Sequence, residues 1–562
     1  MNDRTKVLLR KWILGLAAFF GGLLLLSLLA SWLLPRYFDQ KLDSTLKQAV
    51  QEASDGLYSI QYDDISINIP LGNAEISGVV LKPDTAVYQR LVEQEKAPDQ
   101  YLNLRTEKIR LNGISIVKLL LFKALSMDEL AIQKPFLVIA NKKRHYNESK
   151  ESKPPYELIR DELNAIRIKK ISLEEVDVVS INNNQSEPQK SHFKQLQLHV
   201  RDFRLNEDSE KDSSRILFSE SIDLRVESLK LPVSNKLSSF TLQELTLSSQ
   251  DSLLGVKQIH YKPLYSKSRF GKVAGIATDR LDLKFNDIRG KRVDVRKLLV
   301  ERALWIRELG IQKGVMDIFR DQRYPKVPKD FKPYPHQLLQ AADLTVRIDT
   351  IKIKGTDVIY GEVNDKSHQR GEIQFKGTYG TITNLTNDTT RIAQVPRCLV
   401  NVQTRFMGTG RLYAYFDFNL ASTNGAFRCG GKMRNFELKE VDEVTRPLAL
   451  AGVESGHLSL LDFNIRATAR RSHITMRMEY EDLKAKVLKL DEDSGELEKR
   501  SFISNILNNI VIQSNNPRGN RTARIGEASL DRTHDQSFFT VIWQTILEAI
   551  KRITTGKDDS DE

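Results

Sequence analysis

From Tyr62 onward the chain alternates apolar and polar residues at period two, and that alternation limits the elements it can form. "YDDISINIPLGNAEISGVVL" (Tyr62–Leu81) reads as two strands around a turn near Pro70–Gly72. The same pattern runs through "SIDLRVESLKL", "FTLQELTLSS", "DRLDLKFNDI" and "LTVRIDTIKIKGTDVIY". Successive side chains of a strand point to opposite faces, so each segment predicts an antiparallel strand with one apolar face. Helical spacing is confined to a few places: the stretch around Phe38–Ala53, "YELIRDELNAI", and the end of the chain.

The alternation is also duplicated. Ile114–Ala140 lies over Val293–Phe319 without a gap, and eleven of the twenty-seven positions are identical, among them "KLL", "AL" and "IQK". "AIRIKKISLEEVDVV" at Ala165 then lies over "TVRIDTIKIKGTDVI" at Thr345. Each copy carries a polar, proline-bearing insert between the two motifs, "KPPYELI" and "KPYPHQLL". An internal repeat of about 180 residues predicts units added end to end, an extended sheet with an apolar trough. The alternative is a pair of ordinary β-sandwiches. The expected segments are 1–36 (cytoplasmic stub and anchor), 37–215 and 216–394 (first and second repeats), 395–495 (a further β region) and 496–562 (an amphipathic helix and acidic tail).

Trp12–Leu34, "WILGLAAFFGGLLLLSLLASWLL", is twenty-three residues without a charge. At about 1.5 Å per residue it spans a hydrocarbon core of about 30 Å as a helix. Arg4, Lys6, Arg10 and Lys11 precede it, opposed only by Asp3, so the amino terminus is expected in the cytoplasm and the rest exported. A cleaved signal peptide is the alternative, with "SLLA" as a poor cleavage site. The formal net charge of +12 favours anionic partners. Export makes these lipid or envelope polymer rather than nucleic acid. Cys398 and Cys429 are the only cysteines. They flank the middle strand of a predicted meander, about 10 Å apart and beyond disulfide reach, so two free, buried thiols are expected.

No catalytic signature is present: there is no HExxH, GxSxG, CxxC or GxxxxGK[ST]. The histidines are scattered, and no pair has metal-ligand spacing. No catalytic, cofactor-binding or metal residue is therefore assigned. Two features could carry function without catalysis. The first is the apolar strand face, for which one reading of the alternation nominates Ile65, Ile67, Ile69, Leu130, Ile132, Leu309, Ile311, Ile351 and Ile353 as trough lining. Their alternative role is ordinary core. The second is the terminal helix, where Phe538, Phe539, Ile542, Trp543, Ile546, Ile550 and Ile553 share one face, and Thr540, Gln544, Glu548, Lys551 and Arg552 the other. That helix suits a membrane interface or a partner's groove, or else it packs onto its own sheet.

"LNGISIVKLLLFKALSMDELAIQKPFLVI" and "FDFNLASTNGAFRCGGKMRNFELKEVDEVTRPLALAGVESGHLSLLDFNI" resemble the AsmA-like family (AsmA, TamB and YhdP-type proteins of the bacterial envelope). The likeness lies in hydrophobic spacing rather than fixed polar residues. It implies a mainly β protein: one amino-terminal transmembrane helix, then a periplasmic, curled antiparallel β-groove with an apolar lining. The implied partners are the inner membrane, phospholipid and, at the far end, the outer membrane or an envelope protein. The implied role is phospholipid transfer supporting the outer membrane. A non-lipid scaffold or assembly factor for outer-membrane proteins is the alternative. The chain is far shorter than the longest members of that family.

Overall fold

The computed structural model describes residues 46–48, 50–147, 154–233, 235–326, 331–490, 497–499, 512–534 and 536–555. The expected anchor Trp12–Leu34 and the acidic tail lie outside them. Among the described residues no helix is long and apolar enough to cross a membrane. The protein is mainly β, with long strands and short helices.

Contacts divide the chain into two compact units: Met1–Ser234 with Phe240–Lys257 and Lys291–Trp305, and Asn235–Ser239 with Gln258–Gly290 and Ile306–Glu562. The expected repeat boundary at 215/216 does not coincide with this division. Two interactions explain why. Hydrogen-bonded pairing continues past it, and the second copy of the duplicated "KLL" motif belongs to the first unit, where Leu299 packs on its core and Arg296 Nη1 donates to Ser213 O at 2.9 Å. A unit of sequence repetition is therefore not a unit of packing.

In the first unit β1 (Tyr58–Gln61) and β2 (Asp64–Asn68) both pair with β3 (Asn73–Pro83), which pairs with β4 (Gln100–Asn112). Beyond β4 lie β5 (Ala124–Gln133) and β6 (Phe136–Asn141), antiparallel to β4 but parallel to β7 (Ala165–Asn182). Then come β8 (Gln189–Leu205), β9 (Ser221–Leu231) and β10 (Ser238–Ser248), each antiparallel to the one before. The sheet is thus mixed, which corrects the expectation of a purely antiparallel one. A parallel neighbour needs a crossover of a dozen or more residues. The proline-bearing insert between Asn141 and Ala165 supplies it, and Ile159 and Leu163 from that insert join the core.

β11 (Leu253–Pro263), β12 (Arg280–Val293) and β13 (Ala303–Asp321) continue the chain. In the second unit β14 (Thr345–Val363), β15 (Arg370–Thr386), β16 (Arg397–Phe406), β17 (Gly410–Asn419) and β18 (Phe427–Arg434) follow as an antiparallel meander. β19 (Phe436–Glu437) and β18 both pair with β20 (Ala451–Ala467). β21 (Arg471–Leu490) follows, pairing with the short β22 (Leu497–Lys499) and with β23 (Ile525–Asp531).

The repeat survives in backbone detail. β7 and β8 slip register between Leu173, Val176 and Val178, and β14 and β15 slip between Ile353, Thr356 and Val358. The extra residue is left-handed in both copies, Glu175 at φ 54° and Gly355 at φ 66°. Asp177 Oδ1 accepts from Gln195 N–H at 2.9 Å, and Asp357 Oδ1 from Gly377 N–H at 2.7 Å. A β-bulge bends its strand and raises the local twist. Both copies therefore bend at the same point.

Candidate functional site

The second unit holds a large apolar cavity between its sheet and the terminal helix Phe538–Thr555, with a volume of about 800 Å³. Alternation builds its floor. On β17, Leu412, Ala414 and Phe416 point into it while Tyr413 is exposed on the opposite face. Phe375, Phe406, Met433, Phe463 and Met478 complete the floor from neighbouring strands. One side wall is the helix Asp442–Ala449, through Thr445 and Ala449.

The terminal helix forms the roof. Its most buried stripe is Thr540, Val541, Thr545, Ala549 and Ile553, spaced to face one side. This stripe is narrow, and the sheet accommodates it closely. A Cβ on Gly526 would meet Ala549 O at 2.7 Å, so glycine there lets helix and β23 approach. Hydroxyl groups tie the seam. Thr545 Oγ1 lies 2.7 Å from Ser472 Oγ, and Thr540 Oγ1 lies 3.3 Å from Tyr360 Oη. Tyr360 in turn donates to Glu362 Oε2 at 2.6 Å. Burial pushes the Glu362 carboxyl above its usual range, and burial likewise pushes the Tyr360 hydroxyl well up. The large apolar residues Phe539, Ile542, Trp543, Ile546 and Ile550 stand beside the stripe and line the cavity.

This arrangement corrects the expected faces of the helix. Thr540, assigned to solvent by its polarity, is buried against the sheet. The apolar residues nominated for a membrane or partner are half-buried over the protein's own cavity, while Phe538 packs among Tyr334, Phe416, Phe418 and Phe427. Polar groups line the cavity as well, Glu548, Lys551 and Arg552 among them, and Lys551 is exposed, 3.5 Å from Glu548. Cations near a helix carboxy terminus also oppose its dipole favourably.

None of the nine strand residues nominated from the alternation lines this cavity. Leu130 and Ile132 are buried in the first unit's core, facing Leu111 and Ile109 across β4. Ile351 is buried opposite Ile382, and Ile353, Leu309 and Ile311 are half-buried. Ile65 and Ile67 are half-buried on β2, and Ile69 is exposed in the following turn. The cavity's aromatic floor was visible in the alternation of "RLYAYFDFNL", but period two does not say which face is roofed.

Cys429 also lines the cavity, and Cys398 lies in the adjoining core. Both thiols are free and buried, as expected for the meander, and burial pushes each up to about 12. Among the described residues no group of three or more His, Cys, Asp or Glu is placed to hold a metal ion. The chain matches no protein-family model and no curated protein.

Proposed function

We propose that the chain binds lipid by its acyl chains in the second unit's cavity, and that it works as an inner-membrane-anchored, periplasmic phospholipid-transfer protein of the AsmA-like kind. The observation that carries the reading is the size and lining of the cavity. An apolar recess of about 800 Å³ leaves the side chains of its walls against water unless an apolar guest covers them. Water finds few partners on walls of Phe, Ile, Leu and Met, whereas each methylene entering from water gains about 0.8 kcal/mol. The size falls in the range of about 300–1,000 Å³ typical of small-molecule sites. A headgroup phosphate would lie near Lys551 and Arg552 in the lining, where Lys551 is exposed, and the reading needs no cofactor or catalytic residue.

The test is lipid extraction and native mass spectrometry of residues 36–562 purified without detergent. Bound phospholipid, lost on Phe416→Asp with the fold retained, is the expected result. A folded, lipid-free protein that takes up no added phospholipid would overturn the reading and favour a scaffold. Lipid uptake gained only on deleting residues 500–511 would instead assign the space to the chain's own apolar segment before Ile512.

A further inference from the structure

The short helix Ile116–Phe122 leaves large apolar side chains in water. Val117 is 64 % exposed, Leu121 72 % and Phe122 62 %. Leu71, 64 % exposed, occupies the turn between β2 and β3, and that turn is bonded to the approach of the helix. Ile114 N–H donates to Gly72 O at 2.8 Å. Gly72 is required for this contact: its φ is +63°, and a Cβ there would sit 2.3 Å from Ile114 O. Two chain reversals are thus held side by side, forming an apolar tip on the first unit.

The second repeat provides an internal control. Its equivalent helix, Lys297–Glu301, ends in the same left-handed way, at Arg302 as the first ends at Lys123. Leu119 and its counterpart Leu298 come from the shared "KLL", and Leu119 is buried in the core. Two of the outward positions differ, while Leu121 has the apolar Val300 as its counterpart. Arg296 stands where the first copy has Val117, and Glu301 stands where it has Phe122. Glu301 is exposed and paired with Lys297 at 2.9 Å. The helix therefore forms with charge at these two positions, so exposed apolar groups at Val117 and Phe122 are not a requirement of the fold.

We propose that the tip formed by Leu71, Val117, Leu121 and Phe122 is a membrane-contact site that inserts into the interfacial layer of a bilayer. Helix ends and hairpin turns protrude, which suits insertion. Within Ile65–Asn73 and Gly113–Met127 the only charged residues are Lys118 and Lys123, both exposed. Their apolar stems can follow the inserted groups while the ammonium groups reach lipid phosphates. The neighbouring carboxylates on β5 are already paired, Asp128 with Lys169 at 2.7 Å and Glu129 with Lys170 at 2.8 Å. Asp161 and Glu162 precede Asn164, whose side chain donates to Phe122 O at 2.9 Å. The apolar groups rather than net charge therefore dominate the contact. The charge-free segment expected to span the membrane ends at Leu34, before Leu46. Linkers extend at most about 3.3–3.6 Å per residue, which keeps this unit near the bilayer.

The experiment uses the full chain in vesicles of phosphatidylethanolamine and phosphatidylglycerol. Leu121→Cys carries an environment-sensitive fluorophore, and Glu301→Cys carries the same label as control, with Cys398 and Cys429 left unlabelled by burial. The expected result is a blue-shifted emission at position 121, quenched several-fold by acyl-brominated lipid. The label at 301 should stay water-like. Adding Val117→Asp and Phe122→Asp should return the 121 label to water. A water-like, unquenched label at 121 would overturn the proposal. So would shielding that requires an added envelope protein rather than lipid, which would make the tip a protein-docking site.

Discussion

In the first unit the apolar face of the sheet is closed by small pieces of chain: Val50, Leu119, Ile159, Leu163 and Phe218, from segments between or before the strands, pack onto Leu81, Leu125, Met127 and Ile166. In the second unit one long helix crosses the sheet on a narrow stripe of Thr540, Thr545 and Ala549, and its large side chains overhang a cavity. The same alternating pattern thus yields a core of buried, clustered side chains in one unit and a roofed space in the other. The difference lies in what covers the sheet. Short segments can each settle onto the surface beneath them, whereas a straight helix touches a twisted sheet along one line and leaves room beside it.

The sharpest contrast concerns truncation. Leu125→Ala empties a packed site and should cost about 2–5 kcal/mol. Ile546→Ala only widens an existing space and should cost about 1 kcal/mol or less. Equilibrium urea unfolding measures both, and equal costs would mean that the second unit is packed like the first.

Acid should separate the units next. His336 is buried against Phe418 and Phe427, and burial holds its imidazole down at about 4. Because its folded pKa lies below the ordinary 6.5, its contribution is complete above pH 6.5 and is lost as the pH falls through about 4. That loss is on the order of 3 kcal/mol. Asp202, in the first unit, behaves differently. Burial pushes its carboxyl up, but hydrogen bonds from Arg215, Arg204 and Arg167 outweigh burial and hold it at about 2. Its contribution is present above the usual carboxylate pKa and is lost only as the pH falls through about 2. Titration from pH 7 should therefore weaken the second unit first, and His336→Phe should remove that early loss. An early loss unchanged in His336→Phe would assign it to other groups.

The smallest effect compares the two bulges. Glu175 holds a left-handed conformation that Gly355 adopts freely. Glu175→Gly should stabilise by a few tenths of a kcal/mol, because relief of the left-handed strain slightly exceeds the entropy cost of glycine. Gly355→Ala should destabilise by about 1 kcal/mol. Opposite shifts in the urea midpoint are expected, and shifts of the same sign would contradict the equivalence.

Much of this molecule can be read from its alternation. The strands, the repeat and the free thiols of Cys398 and Cys429 follow from period two and from strand spacing. Strand direction does not, because alternation looks the same in parallel and antiparallel neighbours. The β5–β7 and β6–β7 pairings needed the crossover insert to reveal them. The helix face was misassigned for a related reason. Thr540 sorts with polar residues by type, yet its hydroxyl finds Tyr360, as that of Thr545 finds Ser472, and the small size of both lets the backbones approach. The cavity brings together residues from Tyr360 to Thr555, a juxtaposition that no local pattern encodes.

The most direct test places a photo-crosslinking residue at Phe416, inside the cavity, and separately at Tyr413, on the opposite face of the same strand. The full chain is irradiated in membranes and the adducts are extracted. Phospholipid adducts at position 416 and none at 413 are the predicted result. Absence of lipid at 416, or equal labelling at both positions, would contradict a cavity that holds acyl chains.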